Sequence, residues 1–202
     1  ATLQDTLRPG LQALLENAGC AGKPVTAETV SYSLAPRLNA AGRMDSAAVA
    51  LKLLLCENEE QAAGIAARLS EINADRQHTE QQIAAAALEK LAADPARTRD
   101  RVIVVAGEGW HPGVIGIVAS RLMEKYGRPV IVISTENGEG RGSGRAPGAF
   151  NLHAGLCACA SCLLRYGGHS AAAGLTIEEE KIGAFRKAIN DWAAREYPVP
   201  KP

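Results

Sequence analysis

The chain has 202 residues, a hydrophobic fraction of 47%, and 22 basic against 22 acidic side chains, so its formal net charge is zero. This hydrophobic fraction supports a globular core, and zero net charge argues against a histone-like or tail-like nucleic-acid binder. The balance conceals an asymmetry, because residues 1–100 hold 10 basic and 13 acidic side chains whereas residues 101–202 hold 12 and 9. A local basic cleft in the second half is compatible with these counts.

The five cysteines are an odd number, and their spacing does not suggest a disulfide framework. The C-x-x-C pair Cys159 and Cys162 lacks the second ligand pair that a zinc site needs. We interpret these two residues and Cys157 as small apolar side chains on an alanine-rich helix. No secretory leader and no bilayer-spanning apolar run is visible, so we expect a cytoplasmic protein with no membrane partner.

The first part of the chain, residues 1–46, is too small and too weakly patterned to fold as a domain of its own. Its expected elements are a helix over 7–17, a loop over 19–23, a short helix or turn over 25–30, and turns around Pro36 over 31–43. We therefore expect this part to be the end of a larger body.

Residues 46–93 are expected to be helical, with a break near Glu57-Asn58. After the break, apolar or small side chains recur every three or four residues until Asp94-Pro95, with Arg76 as an interruption. The resulting helix would be roughly 50 Å long, at 1.5 Å per residue. Its length predicts a connector between two bodies.

Residues 101–195 alternate between strand and helix patterns. The expected elements are strands over 102–106, 129–134, 138–145 and 172–177, and helices over 113–126, 151–165 and 178–196. The pair Gly167-Gly168 is expected to end the second of these helices. The alternation predicts an α/β fold, in which a small mixed-sheet domain is flanked by helices and preceded by the connector and a short helical piece.

The segment 140–145, Gly-Arg-Gly-Ser-Gly-Arg, carries the clearest chemical signal. Arg141, Ser143 and Arg145 alternate with glycines, so all three project to one face of a strand. Guanidinium groups, a hydroxyl and the backbone N–H groups of residues such as Gly144 together favour an anion, and the glycines would admit a nucleic-acid backbone. We favour phosphate binding over a solvated edge strand, and the missing Gly-Lys-Ser/Thr excludes a Walker P-loop.

Two histidines lie in loops that could face the same anion. His111 is in the strand-to-helix loop 107–113, where open α/β sheets place ligands, and the sequence leaves binding and simple packing of the turn both open. His169 follows Gly167 and Gly168, and a loop histidine near phosphate can donate a hydrogen bond or a proton. The alternative for His169 is a capping or core role.

A further arginine, Arg43, ends the stretch Asn-Ala-Ala-Gly-Arg over 39–43. Small residues separate its two polar ends. The stretch either presents Arg43 to phosphate or forms a turn that docks the long helix.

Several motifs in a fixed order resemble those of the bacterial RecJ-type single-stranded DNA exonucleases of the DHH phosphoesterase superfamily. The similarity covers nearly the whole chain, which makes it far more specific than one glycine loop. The matching segments are 35–43 (Ala-Pro-Arg-Leu-Asn-Ala-Ala-Gly-Arg), 73–77 (Asn-Ala-Asp-Arg-Gln), 109–119 (Gly-Trp-His-Pro-Gly-Val-Ile-Gly-Ile-Val-Ala), 142–145 (Gly-Ser-Gly-Arg), 167–169 (Gly-Gly-His) and 172–174 (Ala-Ala-Gly).

The resemblance implies a layout in three parts. Residues 1–46 would be the C-terminal remnant of a DHH catalytic domain, 47–100 a helical connector, and 101–202 a DHH-associated substrate-binding domain. In this family the catalytic domain binds Mn²⁺ or Mg²⁺, and the two domains face each other across a cleft for single-stranded DNA. Hydrolysis proceeds from the 5′ end.

The chain departs from the family pattern because it contains no Asp-His-His and no aspartate-rich metal motif. We therefore expect a fragment that lacks the catalytic domain, binds no metal itself and has little or no nuclease activity alone. By position, Arg145 and Ser143 would contact phosphate or sugar, His169 would approach the scissile phosphate, and Arg43 would lie near the DNA path.

The leading hypothesis is the substrate-binding part of a metal-dependent 5′→3′ single-stranded DNA exonuclease of repair and recombination. Its partners would be single-stranded DNA and the missing catalytic domain. Two alternatives stay open: a DHH-family phosphoesterase for oligoribonucleotides or small nucleotides, and a non-catalytic nucleic-acid-binding scaffold.

Overall fold

A computed structural model of the chain describes residues 8–198. It divides into two compact units, Ala1–His78 and Thr79–Pro202. The helices are α1 (Pro9–Asn17), α2 (Ala27–Thr29), α3 (Ala35–Met44), α4 (Ala47–Leu54), α5 (Glu59–Ala93), α6 (Pro112–Tyr126), α7 (Leu152–Ala158) and α8 (Ile182–Glu196). The strands are β1 (Ile103–Glu108), β2 (Val130–Glu136), β3 (Glu139–Arg145), β4 (Arg165–Gly168) and β5 (Ala172–Glu178).

The outermost residues of two predicted segments fall outside this range. Leu7, the expected first residue of the first helix, lies outside the described residues, and so do the ends of the segments 1–46 and 101–202. Among the residues that are described, no helix combines the length and apolar character needed to cross a membrane.

The first unit is a helical cluster around the buried side chains of Leu14, Leu53 and Leu69. The predicted turns over 31–43 are wrong, because a π-helical turn over Val30–Leu34 leads directly into α3. Pro36 does not break this helix because it lies in the first turn, where a missing backbone N–H removes no hydrogen bond.

The predicted long helix is confirmed as α5, with 35 residues and a length of roughly 52 Å. It begins where the Asn58 Oδ1 atom accepts the Gln61 N–H at 2.9 Å, an N-cap interaction. It ends just before Asp94-Pro95. The boundary between the two units falls inside α5, so this helix contributes residues to both.

The second unit contains a five-stranded sheet in the order β1-β2-β3-β5-β4. The pair β1 and β2 is parallel, and the other neighbouring pairs are antiparallel. The predicted mixed α/β architecture is therefore confirmed. Most residues of β1 and β2 are buried, as expected for strands covered on both faces.

The two faces of this sheet are covered by different helices. On one face, α7 and α8 pack against buried side chains that include Ile133, Leu175 and Ile177. On the other face, α6 packs on β2 and β3. We call this second face the α6 face.

The predicted helix over 151–165 is wrong in its second half. The helix α7 ends at Ala158, and after a 3₁₀ turn over Ala160–Cys162 the chain enters β4. The predicted helix end at Gly167-Gly168 is also wrong, because both glycines lie in this strand. Every residue of β4 is exposed, so the strand lacks the alternation of apolar side chains that identifies a strand in sequence.

Candidate nucleic-acid interface

Arg141, Ser143 and Arg145 lie on the α6 face of β3, as the alternation in sequence predicted. The Arg141 side chain is 70% exposed, and its Nε atom lies 3.7 Å from a carboxylate oxygen of Glu139. Ser143 and Arg145 are half-buried. The strand thus carries an exposed and a partly enclosed arginine, and their backbones are four residues, or about 13 Å, apart.

The guanidinium of Arg145 is oriented by its own strand. Its Nη1 atom donates to Ser143 Oγ at 3.1 Å and to the backbone carbonyl oxygen of Gly144 at 2.7 Å. Helix α6 passes close above this pair at Gly116, where an added Cβ would lie 2.9 Å from Ser143 Oγ and 3.0 Å from Arg145 Nη2. Gly116 therefore makes room for the arginine, a role that the sequence analysis missed.

A signal for this role was present in the sequence. Gly116 interrupts the apolar run Val-Ile-Gly-Ile-Val over 114–118 in the interior of α6. A glycine at such a position lowers helix stability by about 1 kcal/mol relative to alanine. It therefore indicates a close neighbour above the helix.

The glycines of β3 have a packing role on the opposite face. An added Cβ would lie 2.6 Å from Leu152 at Gly144, 2.8 Å from Leu175 at Gly142, and 2.9 Å from Ile133 at Gly140. Glycine is therefore required by the core under α7 and α8, rather than by the close approach of a nucleic acid that the sequence suggested. Gly144 contributes to the candidate site through the carbonyl oxygen that accepts from Arg145.

His111 caps helix α6. Its Nδ1 atom accepts the Gly113 N–H at 3.1 Å, and Pro112 occupies the first position of the helix. The neighbouring Trp110 is buried against Gly107, where an added Cβ would lie 2.2 Å from the indole ring. These contacts explain a histidine at position 111 by its role in the structure of the turn. A binding role for His111 stays a prediction.

The Gly-Gly-His segment forms the end of β4 and the start of a tight turn. The backbone conformation of Gly168 has φ of 138°, and an added Cβ would lie 2.5 Å from the Ala172 carbonyl oxygen. The His169 N–H donates to that same oxygen at 2.8 Å and closes the turn to β5. Two further bonds, from Ala146 N–H to Ala171 O and from Leu152 N–H to Ser170 O, both at 2.9 Å, anchor the turn.

The structure brings Arg145 and His169 to the same end of the sheet. Arg145 is the cross-strand partner of Ala172, and Ala172 accepts the backbone hydrogen bond of His169. Neighbouring strands are about 4.8 Å apart, so the two backbones are roughly 10 Å apart. His169 is exposed at this end of the sheet.

Arg43 belongs to the first unit, and its role stays a prediction. It lies in the last turn of α3 and is exposed. Because α3 is a continuous helix from Ala35 to Met44, Arg43 does not close a turn.

Within residues 8–198 no three His, Cys, Asp or Glu side chains come together in a way that would hold a metal ion. The candidate site is built from guanidinium, hydroxyl and imidazole groups, which suit an anion.

Comparisons with known proteins show what this chain is similar to. Residues 99–195 match the family model described as the DHHA1 domain. The chain is 38% identical over 193 residues to a protein of Bacillus subtilis (strain 168) named single-stranded-DNA-specific exonuclease RecJ. That match covers 95% of this chain and 24% of the relative.

The fold is also similar to crystal structures of RecJ from Thermus thermophilus. The complex with Mg²⁺ gives a TM-score of 0.86 at 34% identity, covering 99% of this chain and 30% of that one. The complex with Mn²⁺ gives 0.85 at 34% identity, covering 99% and 28%. The chain thus spans about a quarter to a third of these relatives. The resemblance to RecJ-type proteins is confirmed in sequence and fold, and residues 99–195 match the DHHA1 domain model.

Proposed function

We propose that this chain is the substrate-binding part of a metal-dependent 5′→3′ single-stranded DNA exonuclease that acts in DNA repair and recombination. The observation that carries the proposal is that Arg145, whose guanidinium is held by Ser143, lies at the same end of the sheet as His169, in the segment that matches the DHHA1 domain model. The substrate class comes from the relatives, which are named as single-stranded-DNA-specific exonucleases.

The chemistry of the site suits a terminal phosphate. The contacts of Arg145 with Ser143 and Gly144 hold the guanidinium in a fixed orientation, so less side-chain freedom is lost when a phosphate binds. A planar guanidinium binds two phosphate oxygens in a bidentate manner. In our proposal His169 donates a hydrogen bond to a third oxygen.

Hydrolysis is assigned to another part of the enzyme. In our proposal the DHH domain holds the Mg²⁺ or Mn²⁺ of the enzyme, and the lack of a group of three or more His, Cys, Asp or Glu ligands within residues 8–198 supports this. The catalytic DHH domain is thus a partner of this chain, whose own residues bind and orient the strand.

The domain assignment is part of the same proposal. We assign residues 1–46 to the end of the DHH domain, 47–100 to the connector and 101–202 to the substrate-binding domain. The DHHA1 match over 99–195 and the course of α5 over Glu59–Ala93 support these limits.

The test is binding of a 5′-phosphorylated oligothymidylate, measured by fluorescence anisotropy at several salt concentrations. We expect Arg145→Ala to weaken binding and to lower the slope of log K against log salt by about 0.7, the contribution of one phosphate contact on a single strand. Arg195→Ala removes an equal charge from an exposed position on α8 and should bind like the unchanged chain.

Equal affinities of the Arg145→Ala and Arg195→Ala variants would contradict the proposal. An oligouridylate of the same length tests the substrate class, because tighter binding of RNA than of DNA favours the oligoribonucleotide alternative.

A further inference from the structure

A second row of polar side chains crosses the α6 face at the other end of β3. The pairing of the strands places Arg141, Thr176 and Arg165 side by side on β3, β5 and β4. Cross-strand partners project to the same face of a sheet. The three residues line a shallow depression together with Gly167 and Gly174.

This row presents positive charge to solvent. Arg165 is exposed and forms no ion pair within residues 8–198. Arg141 pairs only loosely with Glu139 in an exposed contact, which contributes at most about 1 kcal/mol and yields readily to a phosphate. The next row outward is acidic, with Glu136, Glu139 and Glu178 as cross-strand partners. The strip that favours an anion therefore ends at the arginine row.

Between the row of Arg141 and the row of Arg145, two neighbouring strands carry glycines in place of side chains. Gly167 and Gly174 are cross-strand partners. An added Cβ at Gly167 would meet nothing within 4 Å, and at Gly174 its nearest neighbour would be the Gly142 carbonyl oxygen at 3.7 Å, an ordinary contact. Neither has a left-handed φ. Packing and backbone conformation thus leave these two glycines unexplained, although each costs about 0.5–1 kcal/mol relative to alanine in a strand.

We propose that Arg141, Arg165 and Thr176 form a second phosphate subsite, which binds an internal phosphodiester of a single strand whose 5′ end lies at Arg145 and His169. This inference rests on the proposed function. Because negative phosphates repeat along a single strand, one strand can contact both basic rows, whose backbones are about 13 Å apart along β3. Its sugar-phosphate backbone lies over Gly167 and Gly174, where no side chain stands between the rows.

The first test compares two 5′-phosphorylated probes, a thymidine dinucleotide and an oligothymidylate of about eight nucleotides. We expect the double variant Arg141→Ala/Arg165→Ala to bind the longer probe roughly tenfold more weakly and the dinucleotide unchanged. The salt slope for the longer probe should fall by about 0.7, because the subsite binds one phosphodiester and each phosphate contact on a single strand contributes about 0.7. The matched control, Lys187→Ala/Arg195→Ala on α8, should leave both probes unaffected.

Two results would overturn the proposal in different ways. If the double variant binds the longer probe like the unchanged chain while Arg145→Ala weakens both probes, the second subsite is excluded and the proposed function stands. The row of Arg141, Thr176 and Arg165 would then be a candidate surface for binding a protein segment. If Arg145→Ala changes neither probe, the proposed function fails together with the subsite.

The second test separates binding from folding. Gly174→Ala has room for its methyl group and should raise the melting temperature slightly, because alanine restricts the unfolded chain. The methyl group would stand in the path of the sugar-phosphate backbone of the bound strand. We therefore expect the variant to be more stable than the original chain and to bind the longer probe more weakly. A more stable variant with unchanged affinity would contradict the close approach of a nucleic acid.

Discussion

Gly167 and Gly168 are neighbours with different structural requirements. At Gly168 the left-handed φ of 138° and the nearby Ala172 carbonyl oxygen exclude a side chain, whereas the space beside Gly167 is open. We therefore expect Gly168→Ala to lower the free energy of unfolding by about 1–3 kcal/mol, and Gly167→Ala to leave it unchanged or slightly raised. Urea denaturation of both variants measures the difference. Equal stability of the two variants would mean that the turn to β5 does not depend on Gly168.

Cys157 in α7 and Cys159, the residue that follows this helix, differ in exposure. Cys157 is exposed, whereas Cys159 belongs to the hydrophobic core, and burial raises the pKa of its thiol to about 11. Because the thiolate is the reacting form, Cys159 stays protonated and unreactive at any pH well below that value. We expect iodoacetamide at pH 8 to label Cys157 in the folded chain and to spare Cys159 until the chain is unfolded. Peptide mass spectrometry reads out both sites, and equally fast labelling of the two would contradict the burial of Cys159.

At the scale of whole elements, the contact between α6 and β3 holds the candidate site together. Gly116→Ala should raise helix propensity by about 1 kcal/mol but push its methyl group against Ser143 Oγ and Arg145 Nη2. These atoms end flexible side chains, so the arginine shifts while the fold survives. We expect a melting temperature close to that of the unchanged chain and weaker binding of the 5′-phosphorylated probe.

The matched control for this variant is Gly64→Ala in α5. A Cβ at Gly64 meets nothing within 4 Å, so the same gain in helix propensity comes with no displaced side chain. It should raise the melting temperature and leave DNA binding unchanged. If Gly116→Ala and Gly64→Ala behave alike in both assays, α6 does not position Arg145.

The elements also differ in how well the sequence predicts them. The helix α5 and the strand β3 follow from local pattern, because the apolar spacing and the alternation of Arg141, Ser143 and Arg145 are complete within each segment. The strand β4 does not, because its four exposed residues are defined only by pairing with β5. The glycines of β3 were misinterpreted for a related reason, since the core side chains they contact come from distant parts of the chain.

In the candidate site, too, some features follow from the local sequence pattern and others depend on the pairing of distant segments. Local alternation places Arg141 and Arg145 on one face, but the position of His169 beside Arg145 depends on the order of three strands. The arginine row that includes Arg165 depends on that order too, and residue spacing in sequence cannot reveal it.

At the scale of the whole molecule, we propose that this chain binds the substrate and that the DHH domain hydrolyses it. The chain alone should therefore bind single-stranded DNA without cleaving it. Two-metal hydrolysis needs ligands for both ions, and the described residues offer no such group. We expect the 202-residue chain to leave a 5′-labelled single strand intact in the presence of Mn²⁺, as followed by gel electrophoresis. Mn²⁺-dependent cleavage that co-elutes with the purified chain and disappears in the His169→Ala variant would contradict this expectation.

The most direct test of the account is an NMR titration of the ¹⁵N-labelled chain with a 5′-phosphorylated oligothymidylate. We expect the largest amide shift changes on Ser143, Gly144, Arg145 and the turn at His169, and little change in α8 on the opposite face. Shift changes confined to α7 and α8, with the β3 and β4 amides unmoved, would contradict it.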